Sequence, residues 1–160
     1  MFILSKSSPY YQAKHQCFLC KILYLLSIVV FNVSCGNGTE TIEIKWDRDA
    51  CEHCRMVISD KHFAAQVRGG AKNKVYLFDD IGCAVHWLPN QSWEKEKSTK
   101  IWVADYHNGN WLNARTAYYI PGQTTPMDFG FGAVRDSEEG SVNFEIAKAQ
   151  MLAKKRHHLH

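Results

Sequence analysis

Residues 22–31, Ile-Leu-Tyr-Leu-Leu-Ser-Ile-Val-Val-Phe, are apolar apart from one serine. That run of about ten residues is too short to cross roughly 30 Å of hydrocarbon, and lysines lie upstream of it. It fits the central region of an export signal. Beyond it the pattern shortens. Thr41 to Trp46 alternates polar and apolar with period two and predicts a strand, and Phe63 to Arg68 predicts a second. Gly69-Gly70 and the basic stretch to Lys74 predict a turn, with Val75 to Phe78 as the returning strand. Asp79-Asp80 then supplies a helix N-cap for Ile81 to Leu88, which Pro89 stops. Residues 90–99 are charged and read as a surface connection. Ile101 to Tyr106, Trp111 to Ile120 and Phe131 to Val134 have β character, and Ser141 to Leu152 has the spacing of a closing helix. The order before about residue 100 is echoed after it. The expectation is an α+β fold of two small ββαβ-like lobes packed together.

Around the apolar run, Asn32-Val33-Ser34-Cys35-Gly36 resembles a bacterial lipobox, in which the cysteine receives diacylglycerol. The predicted organisation is a lipoprotein signal over 1–34, lipidation at Cys35, and a tether over 35–44. A domain follows over 45–152, with lobes at about 45–100 and 101–152, and a basic, histidine-bearing tail over 153–160. Several lipid chains, each contributing about 0.8 kcal/mol per buried methylene, would hold such a protein at a membrane. The expected location is the cell envelope, facing the periplasm.

Composition narrows the classes. With 46% hydrophobic and 22% charged residues the chain is that of a folded domain. Its formal charge of +3 is mild, and several of its lysines lie towards the two ends, so nucleic acid is not an expected partner. Of the six cysteines, only Cys51, Cys54 and Cys83 fall beyond the lipobox. An odd number in an exported domain argues against a full disulfide framework. No nucleophile with a base, oxyanion hole or acid–base pair is evident, and no enzymatic turnover is expected.

The concentrated chemistry is Cys51-Glu-His-Cys54-Arg-Met56. Thiolate and thioether are soft donors that suit Cu(I) far better than calcium, magnesium or manganese. A disulfide or a zinc half-site remains an alternative for the two cysteines; zinc would need His53, His62 or His86 to complete four ligands. Thioredoxin-like chemistry fits less well, because the pair does not open a helix after a strand. Met56 suits either ligation or core filling. Cys83, mid-helix among apolar residues, reads as a buried structural cysteine, and His86 as a packed one.

Further along the chain come Phe63-Ala-Ala-Gln66, Tyr76-Leu-Phe-Asp-Asp-Ile-Gly-Cys83, Trp87-Leu88, Trp111-Leu-Asn-Ala114, Ala117-Tyr-Tyr119 and Thr125-Pro-Met127. With the cysteine motif, in this order, the set resembles the NosL family of nitrous oxide reductase accessory lipoproteins, over roughly residues 45–147. The resemblance implies Cu(I) binding and delivery of copper to nitrous oxide reductase or its copper-site assembly machinery, on a fold of two ββαβ-like lobes. It carries Cys51, Cys54 and Met56 over as metal ligands, and adds Met127 after the Thr-Pro pair. The chain departs from the family's pattern at Asp128, where glycine is common, and at His53 and Arg55, where smaller or apolar residues are. Two other classes stay in view: a thiol–disulfide reductase, and a zinc-bound structural adaptor at the same membrane.

Overall fold

Two antiparallel sheets, each with one helix, organise the chain. The computed structural model describes residues 41–154. The signal segment 1–34, the lipidation site Cys35, most of the tether and the tail from residue 155 lie outside the described residues. The first sheet contains β1 (Ala65–Gly69), β2 (Lys74–Phe78), β3 (Lys100–Ala104) and β4 (Trp111–Asn113), in the order β2-β1-β3-β4. The second contains β5 (Tyr118–Pro121), β6 (Phe131–Val134) and β7 (Val142–Asn143), in the order β6-β5-β7. Helix α1 (Ile81–Trp87) follows β2, α2 (Phe144–Ala153) closes the described chain, and the two helices pack against each other.

The α+β class is as the pattern predicts, and so are β1, β2, α1, β3, β6 and α2 to within a few residues. The division between the halves is not. Because β3 pairs with β1, with Val67 opposite Ile101, the first sheet continues past residue 100 to Asn113. The expected single arm from Trp111 to Ile120 is therefore two strands in different sheets. A turn built on Asn113 separates them: its side chain accepts the Arg115 amide at 3.0 Å, and its carbonyl accepts the Ala117 amide at 3.0 Å. The second half also runs strand, strand, strand, helix, so its helix comes last.

Thr41 to Trp46 is not a strand. The fully buried Gln66 side chain takes both backbone groups of Ile42, donating to its carbonyl at 2.7 Å and accepting its amide at 2.9 Å. A side-chain amide thus replaces the neighbouring strand that a ladder would need.

One core joins the two sheets. Val67, Phe78, Ile101, Val103 and Leu112 from the first meet Tyr119 and Ala133 from the second and Phe144, Ala147 and Met151 from α2. The buried Tyr119 keeps its hydroxyl satisfied by donating to the Ala114 carbonyl at 2.8 Å. The Tyr106 amide donates to the Ala133 carbonyl at 2.7 Å and stitches the end of β3 to β6. Asp80 caps α1 as predicted, and α2 is capped by Asn143, its side chain accepting the Ile146 amide at 3.0 Å.

Candidate metal centre

The cysteine motif is a tight loop closed on itself. The Cys51 amide donates to the Met56 carbonyl at 2.8 Å, and the Arg55 amide returns to the Cys51 carbonyl at 3.0 Å. Closing so short a turn puts Arg55 in the left-handed region, at φ 65°. The Glu52 amide donates to the Leu77 carbonyl at 2.8 Å, which fastens the loop to the end of β2. Since β2 runs directly through Asp79-Asp80 into α1, the loop faces the first turn of that helix. Cys83 stands there.

The sulfurs of Cys51, Cys54 and Cys83 all lie within 4.8 Å of one another. All three are free thiols; Cys51 and Cys83 are fully buried, and Cys54 is half-buried. A metal at the centre of a sulfur triangle, with bonds of about 2.3 Å, holds its sulfurs about 4 Å apart. The trio therefore stands close to ligating separation. Among the described residues this is the single such group of cysteines, histidines and carboxylates.

The three thiols differ electrostatically. The Cys83 thiol donates to Cys51, and the amides of Cys54, Asp79 and His53 converge on the same sulfur; together they outweigh burial and bring Cys51 down to about 5. Cys51 is the thiolate of the apo site. Burial pushes the Cys54 thiol up to about 11, opposed by the Met56 amide. Cys83 is driven upward too, first because its proton is held by Cys51 and then by burial. Beneath them, burial raises Asp79 and Asp80 to about 6, and the negative charge on Cys51 adds to both. A cation entering this cluster would relieve the crowding of negative charge.

Cys83 is buried, as expected, and its sulfur also stands among those of Cys51 and Cys54, a grouping that the spacing along the chain did not predict. Its signal was its place: the first turn of a helix, directly after a strand and the Asp79-Asp80 pair that follows it. His86, one turn further on, is packed as expected, its Nε2 3.0 Å from the Met151 carbonyl. The His53 ring stacks on it at 6.2 Å between centroids.

The family model for NosL matches residues 42–137, well over half of the chain. The chain belongs to the NosL family. No curated protein matches it significantly. Among solved structures, it is similar to the copper chaperone NosL from Shewanella denitrificans, with a TM-score of 0.50 and 18% identity. That match covers 69% of this chain and 87% of the other, and it shows a shared fold.

In this NosL-family chain the two methionines occupy different settings. Met56 contributes its backbone carbonyl to the cysteine loop, and the residue is 54% exposed. Met127 is partly buried against the core, in the loop between β5 and β6. Asp128, which follows it, is left-handed at φ 57°, and Lys154 at the C-cap of α2 bonds to its carbonyl and to its carboxylate. Both departures that stand next to a motif methionine, Arg55 and Asp128, thus occupy positions whose backbone favours glycine.

Proposed function

We propose that this protein is an exported Cu(I) chaperone, lipid-anchored through Cys35, that hands copper to nitrous oxide reductase or to a related cuproenzyme during its maturation. The observation that carries the reading is the sulfur triangle of Cys51, Cys54 and Cys83 in a NosL-family chain. Three sulfurs satisfy Cu(I), which accepts low coordination with soft donors, whereas structural zinc takes a fourth ligand. Met56 and Met127 serve as additional thioether donors, Met56 from the exposed rim and Met127 from the β5–β6 loop. The anchor, the periplasmic location and the recipient rest on the sequence alone.

Transfer follows from the unequal exposure of the cysteines. Cys54 is the one only half-buried, so an incoming donor sulfur can add to Cu(I) on that side before Cys54 leaves. Copper is then never free. The chain's own residues bind and release the metal and transform no substrate. The reductase alternative fits this geometry poorly. Its nucleophile would be Cys51, the thiolate, which has no exposed surface, while the reachable Cys54 has its pKa raised.

An anaerobic Cu(I) competition titration of the wild type and of Cys51→Ala/Cys54→Ala, with Zn(II) as the competing metal, tests the reading. We expect tight one-to-one Cu(I) binding that the double variant loses. Full Cu(I) affinity in the double variant, or tight Zn(II) with negligible Cu(I), would sink it.

A further inference from the structure

Cys83 and Met127 arrive from different parts of the chain, one in the first turn of α1 and the other in the loop that joins β5 to β6. One buried side chain, Asp80, meets both segments. Its Oδ1 accepts the Gly82 amide at 2.8 Å, the ordinary bond of a helix N-cap. Its Oδ2 accepts the Thr125 hydroxyl at 2.5 Å, and the Met127 amide donates to the same carboxyl group. Capping requires only the first of these bonds. The others act on the loop.

Thr125 also organises that loop internally. Its carbonyl accepts the Asp128 amide at 3.0 Å, and its hydroxyl oxygen accepts the Gly130 amide at 3.3 Å. The segment 125–130 is therefore folded about Thr125 and fastened through it to Asp80. Phe129 supplies the apolar half of the attachment, its ring lying on Gly82 in the first turn of α1.

A thioether is an uncharged and weak donor. It competes for a metal only when it is held in place beforehand, because a mobile loop would lose ordering entropy on every binding event. We propose that Asp80 is a positioning residue of the metal site: its carboxylate clasps the Thr125–Met127 loop to the helix that carries Cys83 and so presents the Met127 sulfur to the metal. The inference rests on the reading of Met127 as a copper ligand given above.

Asp80→Ser separates the two roles of this residue. Serine still caps the helix but is too short to reach Thr125, and Thr125→Val removes the clasp from its other end at nearly constant volume. Anaerobic Cu(I) titration and X-ray absorption counting of sulfur neighbours would be applied to Asp80→Ser, Thr125→Val, Met127→Leu and Asp80→Ser/Met127→Leu. We expect each single variant to weaken Cu(I) binding about tenfold and to remove one sulfur from the metal's shell. The double variant should be no weaker than Met127→Leu alone. If Asp80→Ser does not fold, Thr125→Val gives the same answer alone and in combination with Met127→Leu. Losses that multiply in the double variant, or an unchanged sulfur count in Asp80→Ser or Thr125→Val, would overturn the clasp. An unchanged affinity and sulfur count in Met127→Leu would also overturn it, and would leave the cysteine site standing. Retention of Cu(I) by Cys51→Ala/Cys54→Ala would instead remove the underlying copper reading.

Discussion

Gly82 lies directly under the ring of Phe129: a Cβ placed on it would stand 2.1 Å from the ring's Cγ. The glycine is fully helical and buried, so nothing in its backbone calls for glycine; the close approach of the ring does. Gly82→Ala gains up to about 1 kcal/mol of helix propensity. It must expel a buried aromatic ring, and overpacking of this kind costs about 1–3 kcal/mol. We expect a net loss of about 1–2 kcal/mol in urea denaturation of the apo protein. Unchanged or raised stability would mean that the ring moves freely away from the helix.

Cys83 gives a second expectation. Cys83→Ser preserves a small side chain that can still donate to Cys51, but it removes a soft ligand. Loss of a cysteine ligand, a far stronger donor than a thioether, should weaken Cu(I) by more than the roughly 10–100-fold typical of groups that only support a ligand. The sulfur count in X-ray absorption should fall by one. Wild-type affinity with an unchanged sulfur count would return Cys83 to a packing role.

The pH dependence of apo stability has two opposed parts. Asp79 and Asp80 rise from 3.8 to about 6 on folding, so between those values the folded state holds protons that the unfolded chain has lost. Stability falls with rising pH across that range. Cys51 drops from 9.0 to about 5, so from about 5 to 9 the unfolded chain holds the extra proton and stability rises with pH. The two give a minimum near pH 6. Urea denaturation under reducing, metal-free conditions at a series of pH values checks this. Cys51→Ser should abolish the rise above pH 6, and a wild-type curve that stays flat there would refute the thiolate assignment.

Arg55 and Asp128 should respond differently to glycine. A left-handed conformation costs an ordinary L-residue about 1–2 kcal/mol, while glycine adopts it freely but loses more entropy on folding. The Arg55–Glu52 ion pair, at 3.3 Å with the arginine largely exposed, adds little. Arg55→Gly should therefore be neutral or stabilising by up to about 1 kcal/mol. Asp tolerates φ near 57° better, and Lys154 holds it, so Asp128→Gly should be neutral or mildly destabilising. Denaturation midpoints of the two variants decide it; equal gains would show that Lys154 does not matter.

Much of the fold was legible because its strands are short, alternating and punctuated by Gly, Pro and Asn. Thr41 to Trp46 misled because strand periodicity reports which face is buried, and a buried glutamine can occupy the backbone groups that a partner strand would take. The place where the halves divide was hidden in pairing: nothing local says that β3 joins β1, or that Asn113 turns the chain out of the first sheet. At the site, Cys51 and Cys54 announced themselves by their spacing, which keeps both on one closed loop. Cys83 did not, since its membership depends on β2 carrying the chain back past that loop. Asp80 was readable as a cap. Its second attachment, to Thr125, is a long-range contact that no local pattern encodes.

The uneven cover over the three cysteines separates how tightly a metal is held from how quickly it can leave. Two sulfurs sealed inside the fold deepen the well, yet they lie beyond the reach of small scavengers and oxidants that approach from solvent. The third opens a single doorway, and a visitor must bring its own sulfur to that side to use it. For the proposed chaperone this means that a cargo would be retained for long periods in the crowd and still be surrendered promptly to a partner shaped to meet Cys54.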